Sequence, residues 1–483
     1  MPDSIANGGM SFDFSFKSGS SRKGDPEPLR IAILGDFGGR GTGAEARLSG
    51  PFCVDFDNFD EVFTKIGVTL DLPPCEERAW EIKLRFRKLE DFHPDQLLFR
   101  SDPLAKLTEL RAKLFRPVSM DDAARELREV LRIDALPADP PPATSAESTE
   151  EMLSRLLGKP ASGQPTTSSA GLANRLIQQL VGSNPPSIDP QYPQLATLAE
   201  AELSARLRAI LHAPAFQSLE ATWRGLDFLI RNTSEDVKLY VIDICKNELA
   251  KMLAAEDARK SAIYKQLERI HPELVLSSYT FGPEDNALLA DISRLATGCN
   301  TAFVGAASPR LVGCSSFGVQ PDPDDWLIKS SDALEGFAAL RRMPEAAHLG
   351  LAMPRFLLRQ PYGKGSDTIE TFEFEEMTGK PEHESYLWGN PAFLCGQLIA
   401  EAFAAQDSDM EERHGGGEVG GLPIHTFTVD GETQVKPCAE AWLSERAASA
   451  ILGQGIMPVL SVQGRDAVQL LTFRALSNRS VDR

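Results

Sequence analysis

The residues best suited to chemistry lie in two glycine-rich loops. GDFGGRGTG (35–43) follows a short apolar run, where a phosphate-binding loop would stand, and PYGKGSD (361–367) places Lys364 between glycines. A phosphate-binding loop of the P-loop type needs G-x-x-x-x-G-K-[ST], and neither segment has that arrangement. We therefore interpret the first loop as a structural turn and keep a nucleotide-binding enzyme only as an alternative.

Metal and nucleophile chemistry are also disfavoured. The seven histidines include no H-x-x-x-H pair, and His383-Glu384 is not continued to a second histidine. GCSSFG (313–318) and HGGGEVGG (414–421) lack the G-x-S-x-G turn of a serine nucleophile. Three carboxylates could hold a cation or line a solvated strand edge: Glu373, Glu375 and Glu376. We predict no catalytic, cofactor-binding or metal-binding residues.

The charge balance points away from nucleic acid and membranes. The 483 residues include 50 Lys and Arg against 69 Asp and Glu, and this net charge of −19 is repelled by phosphate backbones and anionic lipids. Seven cysteines occur without a C-x-x-C pair, which favours reduced thiols. The start, MPDSIANGGMSFDFSF, has no basic or apolar leader region, and no stretch approaches the ~18 apolar residues of a membrane span. We expect a cytoplasmic protein.

A first ordered region, a small α/β domain, is expected over residues 11–117. Ile31–Leu34 is continuously apolar, which predicts a strand buried on both faces, and WEIKLRFR (80–87) alternates as a half-buried strand does. Leucines at three- and four-residue steps predict an amphipathic helix in DPLAKLTELRAKL (102–114).

An aromatic strand precedes this domain. Phe12, Phe14 and Phe16 alternate with polar residues and so present three rings on one face. Glycine, serine and lysine residues separate the strand from Arg30. A strand tethered so loosely can pair far from its own domain.

Residues 118–195 are expected to form a proline-rich linker. Ten prolines lie between Pro137 and Pro193, and the polar segments among them offer too little apolar area to offset the entropy of ordering. Two short helices interrupt it, TEEMLSRLL (149–157) and GLANRLIQQLV (171–181). The second presents a leucine face made by Leu172, Leu176 and Leu180. These helices either dock on the body or bind a partner.

Residues 196–483 are expected to form a larger α/β domain. An apolar stripe from Phe216 to Ile230 predicts a helix packed on a core. Strand patterns alternate with helix patterns from residue 237 to residue 307, with one helix expected over 246–269. This order predicts a sheet with crossover helices.

The chain resembles two subunits of a known assembly, the contractile sheath of the bacterial type VI secretion system. ILGDFGGR, the D-x-x-N-F-x-x-V step from Asp55 to Val62 and the D-F-x-P-x-x-L step from Asp91 to Leu97 resemble the small sheath subunit. Most of residues 205–470 is similar to the large subunit, through ILHAPAFQSLEATWRGL, YTFGPEDNALLADI, FVGAASPRL, LGLAMPRFLLRQPYG, FEFEE, YLWGNPAFLCGQLIAEAF and GLPIHTF. The resemblance identifies a fused sheath protomer.

The resemblance implies a mechanical function. Sheath protomers polymerise into a helical tube around an inner tube, contract, and are tied together by strands exchanged between neighbours. The candidates for those strands are Phe12, Phe14, Phe16, Val459, Leu460, Leu470 and Leu471. The implied partners are further copies and the other sheath, inner-tube and baseplate proteins. An AAA+ unfoldase that recognises a short helix is a further implied partner, with Leu172, Leu176 and Leu180 at the corresponding place.

One departure from the family keeps an alternative open. Large sheath subunits continue into a helical C-terminal segment that helps to contact the inner tube, whereas this sequence stops at Arg483. The alternative is an accessory sheath-like adaptor or terminator that does not itself contract.

Overall fold

The structure is a computed structural model of the chain. It describes residues 27–41, 48–74, 80–116, 118–133, 189, 191–255, 258–326, 332–405 and 416–477. The strand predicted at Phe12, Phe14 and Phe16 lies outside these residues, and so does the helix predicted at Leu172, Leu176 and Leu180.

The described residues contain fifteen strands. They are β1 (Leu29–Gly35), β2 (Ser49–Val54), β3 (Thr69–Leu72), β4 (Ile82–Arg85), β5 (Val237–Asp243), β6 (Leu274–Phe281), β7 (Ala302–Ala307), β8 (Leu349–Met353), β9 (Phe356–Leu357), β10 (Trp388–Gly389), β11 (Glu418–Val419), β12 (His425–Val429), β13 (Glu432–Lys436), β14 (Met457–Ser461) and β15 (Val468–Leu470). Nine of them form one sheet in the order β11-β15-β14-β8-β7-β6-β1-β5-β2. The other six form three two-stranded ribbons, β3–β4, β9–β10 and β12–β13.

The described residues also contain twelve α-helices. They are α1 (Phe59–Ile66), α2 (Pro94–Arg100), α3 (Asp102–Lys113), α4 (Met120–Leu131), α5 (Gln191–Leu211), α6 (Pro214–Arg231), α7 (Lys246–Ala255), α8 (Ala262–Ile270), α9 (Asn286–Cys299), α10 (Asp332–Leu340), α11 (Ala392–Ala404) and α12 (Glu445–Gly453). Together with the large mixed sheet, these helices confirm the predicted α/β class.

Strand β1 lies in the middle of the sheet, between two strands that follow it by about two hundred residues. It pairs in parallel with β5, Leu29 opposite Val237, and with β6, Ile31 opposite Leu274. Successive residues Ile31, Ala32, Ile33 and Leu34 are at most 1% exposed, because both faces of the strand are covered. The N-terminal and C-terminal regions of the chain therefore share one sheet.

One helix prediction is wrong in detail. The single helix expected over 246–269 is two helices, α7 and α8, separated by a short 3₁₀ turn at Ala258–Lys260. The Ser261 hydroxyl accepts the N–H of Tyr264 and so caps the start of α8. A serine followed by apolar residues at helical spacing indicates the start of a helix, and the prediction of one helix over 246–269 did not use this signal at Ser261.

The described residues divide into two compact units. The first contains those up to Ser101 and those from Arg206 onward, and it holds the whole nine-stranded sheet. The second runs from Asp102 to Ala205 and includes α3 and α4, and the predicted helix at 102–114 is confirmed by α3. Helix α4 and the first residues of α5 lie within the expected linker, most of which is outside the described residues. The boundaries at 117 and 196 stay a prediction.

Candidate assembly site

The glycine-rich loop after β1 is a turn closed by carboxylates. Asp36 accepts the backbone N–H of Arg40 at 3.0 Å, and Asp243, the last residue of β5, accepts that of Gly38 at 2.9 Å. Gly39 has φ +72°, and a Cβ there would lie 2.3 Å from the carbonyl oxygen of Thr69. The backbone amides that would cradle a phosphate are used to hold the turn, which supports a structural interpretation.

Arg40 links the same turn to the C-terminal region of the chain, through two carboxylates of that region. Its guanidinium forms an ion pair with Asp243 and lies 3.3 Å from the carboxylate of Glu248 at the start of α7. Burial raises the pKa of Asp243, while the hydrogen bond and charge of Arg40 lower it. The sequence analysis missed Asp243 and Glu248. An aspartate that ends an apolar strand could have signalled such a site, because the carboxyl ends of parallel strands meet at one edge of a sheet.

Trp223 on α6 joins the two regions through an aromatic cluster. The indole N–H donates to the carbonyl oxygen of Phe37 at 2.9 Å, and Trp223 is fully buried. The ring centroids of Phe37, Phe59 and Phe63 lie 5.1, 5.6 and 4.0 Å from the indole. Such pairs add about 0.5–1.5 kcal/mol each beyond their buried area. The predicted apolar stripe of α6 therefore packs on the N-terminal region.

A second aromatic group extends this contact along α6. Phe216 packs edge to face on Phe92, with centroids 5.5 Å apart, and Phe92 stacks on Phe86 of the segment after β4. All three rings are at most 3% exposed. The large-subunit-like helix and the small-subunit-like strands thus share one core.

A buried ion network fixes α6 on its other side. Glu220 accepts hydrogen bonds from Arg224 at 2.7 Å and from Arg359 at 2.9 Å, and Arg359 also binds Glu376 at 2.7 Å. Burial alone would raise the pKa of Glu376, but the charge and hydrogen bond of Arg359, together with hydrogen bonds from His212 and from the Tyr362 N–H, outweigh burial and lower that pKa to about 2. Because each buried charge has a partner, the network orients α6 without leaving a charge desolvated and unpaired.

The C-terminal exchange candidates lie at one end of the sheet. Val459 of β14 pairs with Leu470 of β15, and Leu471 donates its N–H to the carbonyl oxygen of Pro458 at 3.1 Å. Leu460 lies opposite Gln469, one register step further along. The structure therefore brings these four candidates together within a single chain, with β14 also bonded to β8. Their exchange between copies stays a prediction.

The two outer strands of the sheet differ. Beside β15 lies β11, which has only two residues and pairs through Val419 with Val468. At the opposite edge β2 contains Pro51 and an irregular register between Ser49 and Phe52. Proline and bulges block the addition of a further strand at β2. At the other end, residues 416–419 bond the outer edge of β15, because Leu470 donates its N–H to the carbonyl oxygen of Gly417 and Gly416 donates its N–H to that of Leu471, so β11 is the outermost strand there. The β14–β15 end is the better site for strand addition.

The described residues contain one group with metal-ligand geometry, at His383, Glu384 and Glu440. Arg355 donates to Glu440 at 2.8 Å and to Glu384 at 3.1 Å, and the ammonium of Lys436 lies 2.8 Å from Nδ1 of His383. Two cations already compensate these groups. The arrangement is that of a salt-bridge network and gives no support to metal binding.

The second glycine-rich loop and its neighbouring carboxylates also have structural partners. Glu375 accepts the N–H of Lys364 at 3.0 Å, and Glu376 is buried against Arg359. Glu373 and Glu375 are exposed, because the segment alternates inward and outward. The three carboxylates therefore do not share one side. The loop lines an open cleft of ≈ 590 Å³ whose arginines, Arg224 and Arg359, are paired with glutamates of the buried network.

Within the part of the chain that the structure describes, no helix has the length and apolar character to cross a membrane.

Comparison with known proteins assigns the family. Residues 194–477 match the VipB family, described as the EvpB/VC_A0108 tail sheath N-terminal domain. Residues 11–135 match the family described as type VI secretion system, VipA, VC_A0107 or Hcp2. The chain is similar to the type VI secretion system sheath protein TssC1 of Pseudomonas aeruginosa, with 32% identity over 358 residues, 69% of this chain and 72% of that protein. The shared core of β1 and α6 fits this pair of matches, and the chain belongs to the type VI secretion tail-sheath family as a structural component with a VipA-like first part and a VipB-like second part.

Proposed function

We propose that this chain is a covalently joined sheath protomer that polymerises around an inner tube and contracts. One observation carries the proposal: β1 of the VipA-like part lies between β5 and β6 of the VipB-like part. A strand in the middle of a sheet is part of the fold itself. Fusion of the two parts therefore sets their ratio at one to one.

Copies are joined by strand exchange at the β14–β15 end of the sheet. There residues 416–419, which include the two-residue strand β11, bond the outer edge of β15, and a strand from another copy would displace this short segment or pair with its outer side. The aromatic strand at Phe12, Phe14 and Phe16 is the proposed donor. Leu470 and Leu471 lie at the proposed acceptor, and Val459 and Leu460 of β14 hold β15 in place behind it, where side-chain alternation fixes the register.

Electron microscopy of the purified full chain, alone and co-expressed with its neighbouring secretion proteins, tests the proposal. We expect tubes. Discrete rings would instead indicate an accessory adaptor or terminator, and a monomer under every condition would contradict a sheath protomer.

A triple variant tests the exchanged strand. The triple substitution Phe12→Ser, Phe14→Ser and Phe16→Ser is expected to abolish tubes while the thermal midpoint of the monomer stays unchanged. The matched control, Asp13→Asn with Ser15→Thr, alters the other face of the same strand and should leave tubes intact. Tubes formed equally by both variants would exclude this strand.

The partners and location follow from the same proposal. A sheath assembles in the cytoplasm with inner-tube and baseplate proteins, and we propose no enzymatic activity for it. The leucine face of Leu172, Leu176 and Leu180 is the proposed contact for an AAA+ unfoldase. Substitution of Leu176 by Asp should block disassembly by such an unfoldase and leave assembly unchanged. Disassembly at the normal rate would remove this partner.

A further inference from the structure

Two cations without ion pairs among the described residues face solvent at the end of β4: Arg85, its last residue, and Arg87, two residues further on. Arg85 and Arg87 alternate with the buried residues Leu84 and Phe86, so both guanidinium groups face solvent. The residue opposite Arg85 on β3 is Thr69, which carries no charge. Among the described residues neither guanidinium has an ion pair. We define Arg85 and Arg87 as the basic row.

Its neighbours do not neutralise the basic row. Lys83, two residues earlier, pairs with Glu81 at 3.3 Å, and Lys88 pairs with Glu90 at 3.9 Å. The carboxylate of Asp91 binds Arg100 and accepts the backbone N–H of Arg87, but it is completely buried. The row therefore keeps two positive charges exposed on a chain whose net charge is −19.

An acidic row of the same spacing lies elsewhere on the surface. Glu373 and Glu375 are exposed and alternate with Phe372 and Phe374, whose rings are buried and pack edge to face on each other. The carboxylate of Glu375 accepts the backbone N–H of Lys364, and Arg208 donates to the Glu375 carbonyl and attracts the Glu375 charge without an ion pair among the described residues. We define Glu373 and Glu375 as the acidic row.

The two rows match in charge and in repeat. Both place their charges two residues apart in a segment whose side chains alternate between exposed and buried, a repeat of about 7 Å along an extended chain. Copies of a chain of charge −19 repel one another at low salt, and a basic surface of one copy that meets an acidic surface of the next offsets part of this repulsion. Two different surfaces make a head-to-tail contact, and a head-to-tail contact that does not close generates a helical polymer.

We propose that the basic row of one copy binds the acidic row of a neighbouring copy. The inference rests on the proposed polymerisation and names one of its contacts, separate from strand exchange. Exposed ion pairs are weak singly and are screened by salt, so the contact sets register and salt sensitivity more than total affinity.

Charge exchange in solution tests the contact. Variant A carries Arg85→Glu and Arg87→Glu, and variant B carries Glu373→Lys and Glu375→Gln, where the glutamine keeps an acceptor for Lys364. Each variant alone brings like charges together, and its association by sedimentation should be about tenfold weaker or more than that of the wild type at low salt. A mixture of A and B in equal amounts restores opposite charges at every contact and should restore association.

The control and the outcomes separate this contact from the proposed function. The control, Lys251→Glu with Lys265→Glu, makes the same change in net charge at two exposed lysines of α7 and α8. Its association should weaken less than that of variant A, because only the net charge changes and the proposed contact stays intact. Unchanged thermal midpoints verify that the variants fold. Wild-type polymers together with normal polymers of variant A would overturn this contact alone. A wild type that stays monomeric at every salt concentration would overturn both proposals.

Discussion

The indole N–H of Trp223 donates to the backbone carbonyl of Phe37 over 2.9 Å, and the two rings pack edge to face with centroids 5.1 Å apart. Phe37 belongs to the turn after β1 in the VipA-like part, and Trp223 belongs to α6 in the VipB-like part. One buried hydrogen bond and one ring contact thus connect the two matched families directly. Loss of either contact should lower the free energy of unfolding of the unit that contains the nine-stranded sheet.

Replacement of Trp223 by Ala is expected to lower the free energy of unfolding by about 3–5 kcal/mol, because it empties a fully buried site and leaves the Phe37 carbonyl without its donor. Urea denaturation measures the change. Trp442 is 45% exposed, and Trp442→Ala is the matched control with a much smaller expected loss. Equal losses for the two variants would contradict the assigned role of Trp223.

Two glycines in the turn after β1 separate backbone strain from steric contact. Gly39 has φ +72° and its added Cβ would lie 2.3 Å from the Thr69 carbonyl oxygen, whereas Gly41 has φ +61° with nothing within 4 Å. Gly41→Ala should cost about 1 kcal/mol from the left-handed conformation alone. Gly39→Ala should cost clearly more, as measured by chemical denaturation. Similar costs would mean that the turn moves freely away from Thr69.

The sequence predicted the elements better than their partners. The apolar run Ile31–Leu34 is sufficient to predict a buried strand, and the stripe of α6 is sufficient to predict a helix. The position of β1 between β5 and β6 could not be predicted from residues, because those pairings lie about two hundred residues away and depend on tertiary packing. Only the resemblance to two sheath subunits indicated that the regions meet.

The same limit applies to the candidate sites. Glu373, Glu375 and Glu376 look alike in sequence, yet the third is buried against Arg359 and the first two face solvent. The segment FEFEE alternates with a period of two, with Phe372 and Phe374 on one face. The adjacent pair Glu375-Glu376 does not show by its sequence which of the two carboxylates is buried. Glu376 is buried because it pairs with Arg359, and no pattern in the sequence links Arg359 to these glutamates.

Glu376 makes stability depend on pH. Its pKa falls from the ordinary 4.5 to about 2, so its ionised form stabilises the fold above pH 4.5, and this stabilisation is lost as pH falls from 4.5 towards 2. The difference in unfolding free energy between wild type and Glu376→Gln should therefore shrink over that range by roughly 2–3 kcal/mol. Denaturation at a series of pH values measures it. A difference that stays the same at every pH would contradict this role of the Glu376 carboxylate.

The contact between α6 and α11 depends on a missing side chain. A Cβ at Gly225 would lie 2.4 Å from the ring of Phe393, so the glycine lets the two helices approach. Gly225→Ala gains helix propensity of about 1 kcal/mol but forces the Phe393 ring to move, and overpacking costs about 1–3 kcal/mol. We expect urea unfolding to show net destabilisation.

Gly453→Ala is the control. Gly453 is a helical glycine with nothing within 4 Å of an added Cβ, so the alanine gains helix propensity without a clash and should be neutral or stabilising. If the Phe393 clash is the cause, the smaller ring-free side chain of Phe393→Leu should make Gly225→Ala less costly than it is in the wild type, a coupling that appears as non-additivity in the double variant. Additive effects would show that α6 adjusts by moving its backbone, and the close approach of α6 and α11 would then not depend on Gly225.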